Sequence, residues 1–265
     1  MLPSAPTELI ELSGPDAAAF AQAQFCNDVE PLRTGDSQLN AWLTPQGRVR
    51  RLFHLIRADD RRYLLLLRGG SAAAVLPPLR MFVLRLKVDI RQLNGWHWAE
   101  AAAGSLQPGD FNAALPDSRQ LILRQGSPVD GLPFAETLAR DIDAGLPWLP
   151  DHALEQILPS WLTFARLGAI SHTKGCYPGQ EIVARLHFRG GGDKRVPVRL
   201  SAPSALIGAT ELRDGGSEAG LLLQWVPAAE GGSRALAVVR RESAESGMQL
   251  QAAEHQLSVL ASAWT

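Results

Sequence analysis

Cysteine is nearly absent from this 265-residue chain: only Cys26 and Cys176 occur, far apart and in no CxxC spacing. That excludes a disulfide scaffold and a structural zinc site, each of which needs paired thiols or clustered ligands. An all-cysteine iron–sulfur cluster needs more thiolates than one copy holds, although a cluster bridging two copies stays arithmetically open. An excess of charge of either sign is also missing, with 26 Lys plus Arg against 27 Asp plus Glu. No global field draws such a chain onto nucleic acid or an anionic membrane, so any basic site must be local. The apolar runs Leu64–Leu67 and Leu221–Leu223 are far shorter than a membrane span, and Pro3, Pro6 and Glu8 interrupt a signal-peptide pattern. The expectation is a soluble, cytoplasmic monomer with no membrane partner and no direct nucleic-acid partner.

Familiar chemical motifs are scarce as well. The 6 histidines show no HExxH or paired-ligand spacing, so no metal site is expected. GGGDKR, from Gly190 to Arg195, lacks P-loop spacing and a preceding strand. Arg48, Arg50 and Arg51 form a small basic cluster without interleaved aromatics.

What is present begins with a helix start at Ser13, Gly14, Pro15 and Asp16, ahead of an apolar run from Ala17 to Phe25. Alternation from Gln38, a Thr44–Gly47 turn and a run from Val49 to Ile56 read as a hairpin, and Tyr63–Leu67 as a central strand. Ser71–Leu84 is helical in composition, but Pro77 and Pro78 predict a break. Lys87–Leu93 and Gln120–Arg124 read as strands, Gly104–Pro116 as a connection or shortened element, and Pro133–Ala144 as a helix ended by Gly145 and Pro147. From Val196 onward, short β-like runs (Val196–Leu200, Thr210–Arg213, Gly220–Trp225, Ala235–Arg240, Met248–Gln251, Leu257–Leu260) alternate with turn residues. Such spacing predicts a small closed barrel. The fold class is α+β: a body over residues 1–190, then a C-terminal barrel over 191–265, with the Gly190–Gly192 run as the boundary.

One segment reads as chemistry: Lys174, Gly175, Cys176, Tyr177, Pro178, Gly179, Gln180 and Glu181. The thiol sits between glycines and beside a cation, and Ile182, Val183 and Leu186 then recur as on an amphipathic helix. Free amide N–H groups at that helix entrance, with the Lys174 ammonium, favour a thiolate. The competing reading is a small buried hydrophobe in a tight turn, since free cysteine is commonly buried.

The longer stretch KGCYPGQEIVARLHFRG, from Lys174 to Gly190, resembles the signature of the YgfZ family, folate-binding proteins related to the aminomethyltransferase (T-protein) of the glycine cleavage system. The resemblance extends to Gly14, Asp16, Phe20, Gln24 and Asp28, to the TPQGRV hairpin ending at Val49, to LGAIS before the motif, and to IDAGLP from Ile142 to Pro147. It implies a cloverleaf of a two-lobed α+β body with antiparallel sheets and a C-terminal β-barrel around a channel for tetrahydrofolate or a one-carbon derivative. It also implies iron–sulfur client enzymes, including tRNA-modifying ones.

On that resemblance Cys176 and Lys174 are the reactive pair, and Asp143, Tyr177, Gln180, Glu181 and Arg185 are the cofactor contacts. A reduced pterin presents adjacent N–H donors that suit the Asp143 carboxylate, and its glutamate tail suits Lys174, Arg185 or Arg189. For Arg189 a solvated face is an equal reading, and for Tyr177 a core position is. Pro159, Ser160 and Thr163 stand where an amide-bearing sequence is expected, and His172 replaces an aromatic. Three functions follow: a non-transferring folate-binding accessory protein with Cys176 as a working thiol, which is favoured; a folate-dependent aminomethyl transferase; or a scaffold with a vestigial pocket.

Overall fold

The computed structural model describes residues 7–190, 194–245 and 249–262. The chain opens with strand β1 (Leu9–Ser13) and helix α1 (Ala17–Gln24), which buries Ala17, Phe20 and Ala21 on one face. Asp16 does not cap its own helix; its carboxylate accepts the Lys87 amide at 2.7 Å and so anchors the helix start to the approach of a later strand. Strands β2 (Ser37–Leu43), β3 (Val49–Asp59) and β4 (Arg62–Leu67) follow as antiparallel neighbours.

Helix α2 (Ala72–Arg80) runs straight through Pro77 and Pro78, where a break was expected. The prolines remove two amide donors, but the carbonyls they orphan belong to Ala73 and Ala74, which are exposed and open to water. The opposite face buries Ala72, Val75 and Leu79, and the Glu8 carboxylate accepts the Ala72 amide at 2.7 Å, so packing and capping outweigh the prolines. Strand β5 (Asp89–Leu93) completes a five-stranded antiparallel sheet in the order β2-β3-β4-β1-β5.

The second lobe is a three-stranded sheet, β6 (Trp96–Glu100), β7 (Phe111–Ala114) and β8 (Gln120–Gln125), in the order β6-β8-β7. Strand β6 has no counterpart in the reading above, although Trp96, Trp98 and Glu100 alternate inward along it. The stretch read as a connection or shortened element carries β7, a short strand. Helix α3 (Phe134–Ala144) ends where predicted, at Gly145, whose φ of 63° is left-handed.

A segment with little regular structure leads to helix α4 (Gln180–Arg189) and then to the barrel. The barrel strands are β9 (Arg195–Ala202), β10 (Glu211–Asp214), β11 (Ser217–Pro227), β12 (Ser233–Arg240), β13 (Leu250–Ala252) and β14 (His255–Ser262), with a short helix α5 (Arg241–Glu245) between β12 and β13. They close in the order β10-β11-β12-β9-β14-β13. Gly191, Gly192 and Met248, read above as boundary and strand residues, lie outside the described residues.

Three apolar cores hold these layers together. One fills the space between α1, α2 and the first sheet, and one fills the barrel. The third joins the other face of the first sheet, the second sheet, α3 and the outer wall of the barrel through Leu223, Val226, Leu236 and Val238. The barrel is therefore packed onto the body rather than tethered to it. Among the described residues no helix is long and apolar enough to cross a membrane.

Candidate functional site

The KGCYPGQE segment turns immediately before α4 on Gly179, the residue ahead of the helix, at φ 82° and ψ 0°. Cys176 is exposed and unpaired, which removes the reading of it as a buried hydrophobe. The other thiol is the buried one: Cys26 donates to the Ala169 carbonyl at 3.3 Å, and burial pushes it up to about 12.

Lys174 does not serve Cys176. Its ammonium donates to the carbonyls of Gln22, Phe25 and Asn27 at 2.7, 2.7 and 3.0 Å, which occupies all of an ammonium's protons at the end of α1. Burial lowers it to about 8. The expectation of a free cation beside the thiol is thereby corrected; Lys174 is a clasp between this segment and the first lobe. Tyr177 is also buried, with Lys174 Nζ 5.5 Å from its ring centre, and burial raises its phenol. Gln180 donates to the Lys174 carbonyl at 3.3 Å, while Glu181 and Arg185 are exposed.

Two cavities are roomy enough for a small ligand. The first, about 520 Å³, lies between α4 (Val183, Leu186, His187) and the stretch containing Pro159, Thr163, Phe164 and His172. The rings of His172 and His187 stack on it, 3.8 Å apart. The second, about 650 Å³, lies between the lobes and is lined by Gln38 and Leu39 of β2, His54 of β3, Leu115–Asp117, and Asp143 and Ala144 of α3. Arg166 lines both.

Of the predicted cofactor contacts, Asp143 alone lines either cavity, and its carboxylate is paired with Arg234 of the barrel. Cys176, Tyr177, Gln180, Glu181 and Arg185 line neither. The sequence thus places one site where the structure presents two: an exposed thiol turn and an interlobe cavity.

Behind the larger cavity runs a buried charge network that the sequence reading missed. Asp141 is fully buried and accepts from Arg68 at 2.6 Å, Arg119 at 2.8 Å and the Trp148 indole at 3.1 Å. Arg119 also pairs with Glu100, whose carboxyl is held below its ordinary range by Arg119 and Arg140 against the opposing effect of burial. A buried charge deprived of its partner costs about 3–5 kcal/mol, so these residues lock the two lobes at the cavity's rear. The signal was legible: Thr137, Leu138, Asp141 and Ile142 share the buried stripe of α3, which puts a carboxylate where an apolar residue belongs.

The basic cluster at Arg48–Arg51 is spent internally. Arg48 donates to the Gln156 carbonyl and covers Trp161, and Arg50 pairs with Glu155 at 2.9 Å. Among the described residues no group of three or more His, Cys, Asp or Glu is arranged to hold a metal ion.

Comparisons with known proteins agree with this architecture. Residues 194–265 match the family "CAF17, C-terminal beta-barrel domain". The fold is similar to that of glycine cleavage system aminomethyltransferase T from Bartonella henselae, with a TM-score of 0.69 at 16% identity over 95% of this chain and 82% of that one. An uncharacterized protein of Haemophilus influenzae is 30% identical over 189 residues, covering 69% of this chain and 67% of the relative. The tRNA-modifying protein YgfZ of Edwardsiella ictaluri is 30% identical over 215 residues, covering 68% and 65%. That of Klebsiella pneumoniae is 28% identical over 235 residues, covering 75% and 70%. The chain thus spans about two thirds of the length of these curated relatives. With the signature turn, the aminomethyltransferase-like lobes and the matching barrel in one polypeptide, the chain belongs to the YgfZ family.

Proposed function

We propose that this protein binds tetrahydrofolate, or a one-carbon derivative of it, in the interlobe cavity and supports iron–sulfur enzymes of tRNA modification without transferring the carbon unit itself. Residues 1–190 form the folate-binding body and 191–265 the barrel domain. Relatives named tRNA-modifying proteins support the placement in tRNA modification, and the likeness to an aminomethyltransferase supports the folate reading.

The observation that carries the proposal is the chemistry of the cavity wall. Gln38, His54 and Asp143 line one cavity of about 650 Å³, which sets amide, imidazole and carboxylate side chains around a space that a small heterocycle fits. A reduced pterin presents adjacent N–H donors that suit the half-exposed Asp143 carboxylate at that wall. Bound folate would bring a reduced ring able to carry a one-carbon unit. Cys176, exposed on the turn ahead of α4, is the thiol offered to a client enzyme.

The fold likeness also favours a second reading, aminomethyl transfer, which needs a general acid or base at the reacting nitrogen. Incubating the purified chain with tetrahydrofolate, 5,10-methylenetetrahydrofolate and an aminomethyl donor separates the two. Binding without turnover is expected; turnover would establish the transferase, and absence of binding would remove folate from the function.

A further inference from the structure

The second half of the signature, ARLHFRG, has no task in the folate site, since neither its arginines nor Phe188 lines the interlobe cavity. On α4, Arg185, Phe188 and Arg189 stand at i, i+3 and i+4 and so share one face. That face is turned away from Val183, the one buried residue of the helix, and all three side chains are exposed, Phe188 by 73%. Glu181 lies one turn earlier, yet neither arginine is paired with a carboxylate among the described residues.

The edge of this face is aromatic as well as basic. The His187 ring meets the Phe188 ring nearly edge-on, 4.8 Å between centres, and stacks on the His172 ring at 3.8 Å. Both histidines line the cavity of about 520 Å³, which Phe164, Ile170 and Leu186 also line. Arg166, His187 and Gly190 are exposed members of the same lining, so the cavity reaches the surface at the C-terminal end of α4.

Cations interleaved with accessible rings suit a strand of unpaired nucleotides. Guanidiniums take the phosphates, and every base has a π-face that stacks with little regard to sequence. An acidic protein surface would satisfy the arginines alone, and a duplex keeps its bases stacked on one another. The Arg48–Arg51 cluster lacks this arrangement, because Arg48 and Arg50 are already laid on Trp161 and Trp42 within the protein.

We infer that the exposed face of α4 binds single-stranded RNA, with phosphates on Arg185 and Arg189, one base stacked on Phe188 and a neighbouring base admitted to the cavity beside His187. The choice of RNA rests on the placement in tRNA modification proposed above. The face itself is independent of folate binding and lies apart from the interlobe cavity.

The test uses the full chain and a labelled, unstructured RNA of about ten nucleotides in anisotropy titrations at several salt concentrations. The slope of log affinity against log salt should become less steep by about 0.7 in each of Arg185→Gln and Arg189→Gln. Phe188→Ala should weaken binding by about fivefold or more with the slope unchanged, and Phe188→Trp, which keeps a stacking face, should retain the affinity. Because the ring is exposed, Phe188→Ala should leave both the melting curve and tetrahydrofolate affinity unmoved.

No binding by the parent, equal affinity for the same RNA annealed to its complement, or unchanged affinity in Phe188→Ala would overturn the inference. Polyglutamate competing as well as unlabelled RNA would overturn it in favour of an acidic protein partner, and tighter binding of DNA of the same sequence would overturn the choice of RNA. A parent that binds tetrahydrofolate but no RNA sinks this inference alone. A parent that binds RNA but no tetrahydrofolate sinks the folate reading and leaves this one standing.

Discussion

Gly179 lies so close to Gly47 that a Cβ built on it would stand 2.8 Å from the Gly47 Cα and 2.5 Å from the Thr44 carbonyl oxygen. The turn that presents Cys176 is thereby seated, backbone on backbone, against the turn of the first hairpin. Two sequence signals, TPQG ending at Gly47 and YPGQ around Gly179, 132 positions further on, are one contact. Gly179→Ala meets both the left-handed φ of 82° and this contact, and should cost about 3 kcal/mol. The expected readout is a melting point lower by roughly 5–10 °C, with faster amide exchange concentrated in α4. Unchanged melting and exchange would show that the seat is loose.

Lys174 holds the same segment from the other side. Lys174→Met leaves the carbonyls of Gln22, Phe25 and Asn27 without their donor, and should cost about 2 kcal/mol in urea unfolding at pH 7. The pH dependence has a definite sign. Below pH 8 folded and unfolded chains both hold the lysine proton. Between about 8 and the ordinary value of 10.5 the unfolded chain keeps a proton that the folded one has released, so the contribution of Lys174 to stability rises with pH. The gap between parent and variant should therefore widen above pH 8, and a gap constant across that window would contradict the lowered value.

These contacts mark how far the sequence could be read. The α+β body and the closed barrel follow from periodicity and turn residues, and Gly145 ends α3 as its position demands. Local rules failed where tertiary contacts decide. The prolines of α2 are tolerated because their orphaned carbonyls face water, and Lys174, two residues from Cys176, reaches instead to carbonyls some 150 positions away. Proximity in sequence said nothing of which way that side chain points. In α3 the IDAGLP resemblance points to Asp143, whereas the helical stripe buries Asp141.

The two thiols should separate cleanly under a disulfide reagent. Cys176 is exposed, whereas Cys26 is fully buried, pushed up to about 12 and hydrogen-bonded to Ala169. One equivalent is expected to react in the native protein and a second only on unfolding. Cys176→Ser should abolish the native reaction, leave the unfolding midpoint within about 0.5 kcal/mol of the parent, and impair support of iron–sulfur enzymes. Normal support from this variant would remove the thiol from the function.

Asp143 offers the sharpest separation of binding from stability. Its carboxylate pairs with Arg234, but the two side chains are 48% and 37% exposed, and such surface pairs contribute about 0–1 kcal/mol. Asp143→Ala should therefore leave the melting curve almost unmoved while weakening tetrahydrofolate binding by about tenfold or more, and by more than Cys176→Ser does. The pairing supplies an opposing control. Arg234 competes with the ligand for the carboxylate, so Arg234→Leu should tighten folate binding, or at least not weaken it, although it removes a cation from beside an anionic cofactor. Equal affinity in Asp143→Ala and the parent would reject Asp143 as the group facing the pterin. A loss in Arg234→Leu as large as that in Asp143→Ala would mean that the ion pair, rather than the free carboxylate, is what the ligand meets.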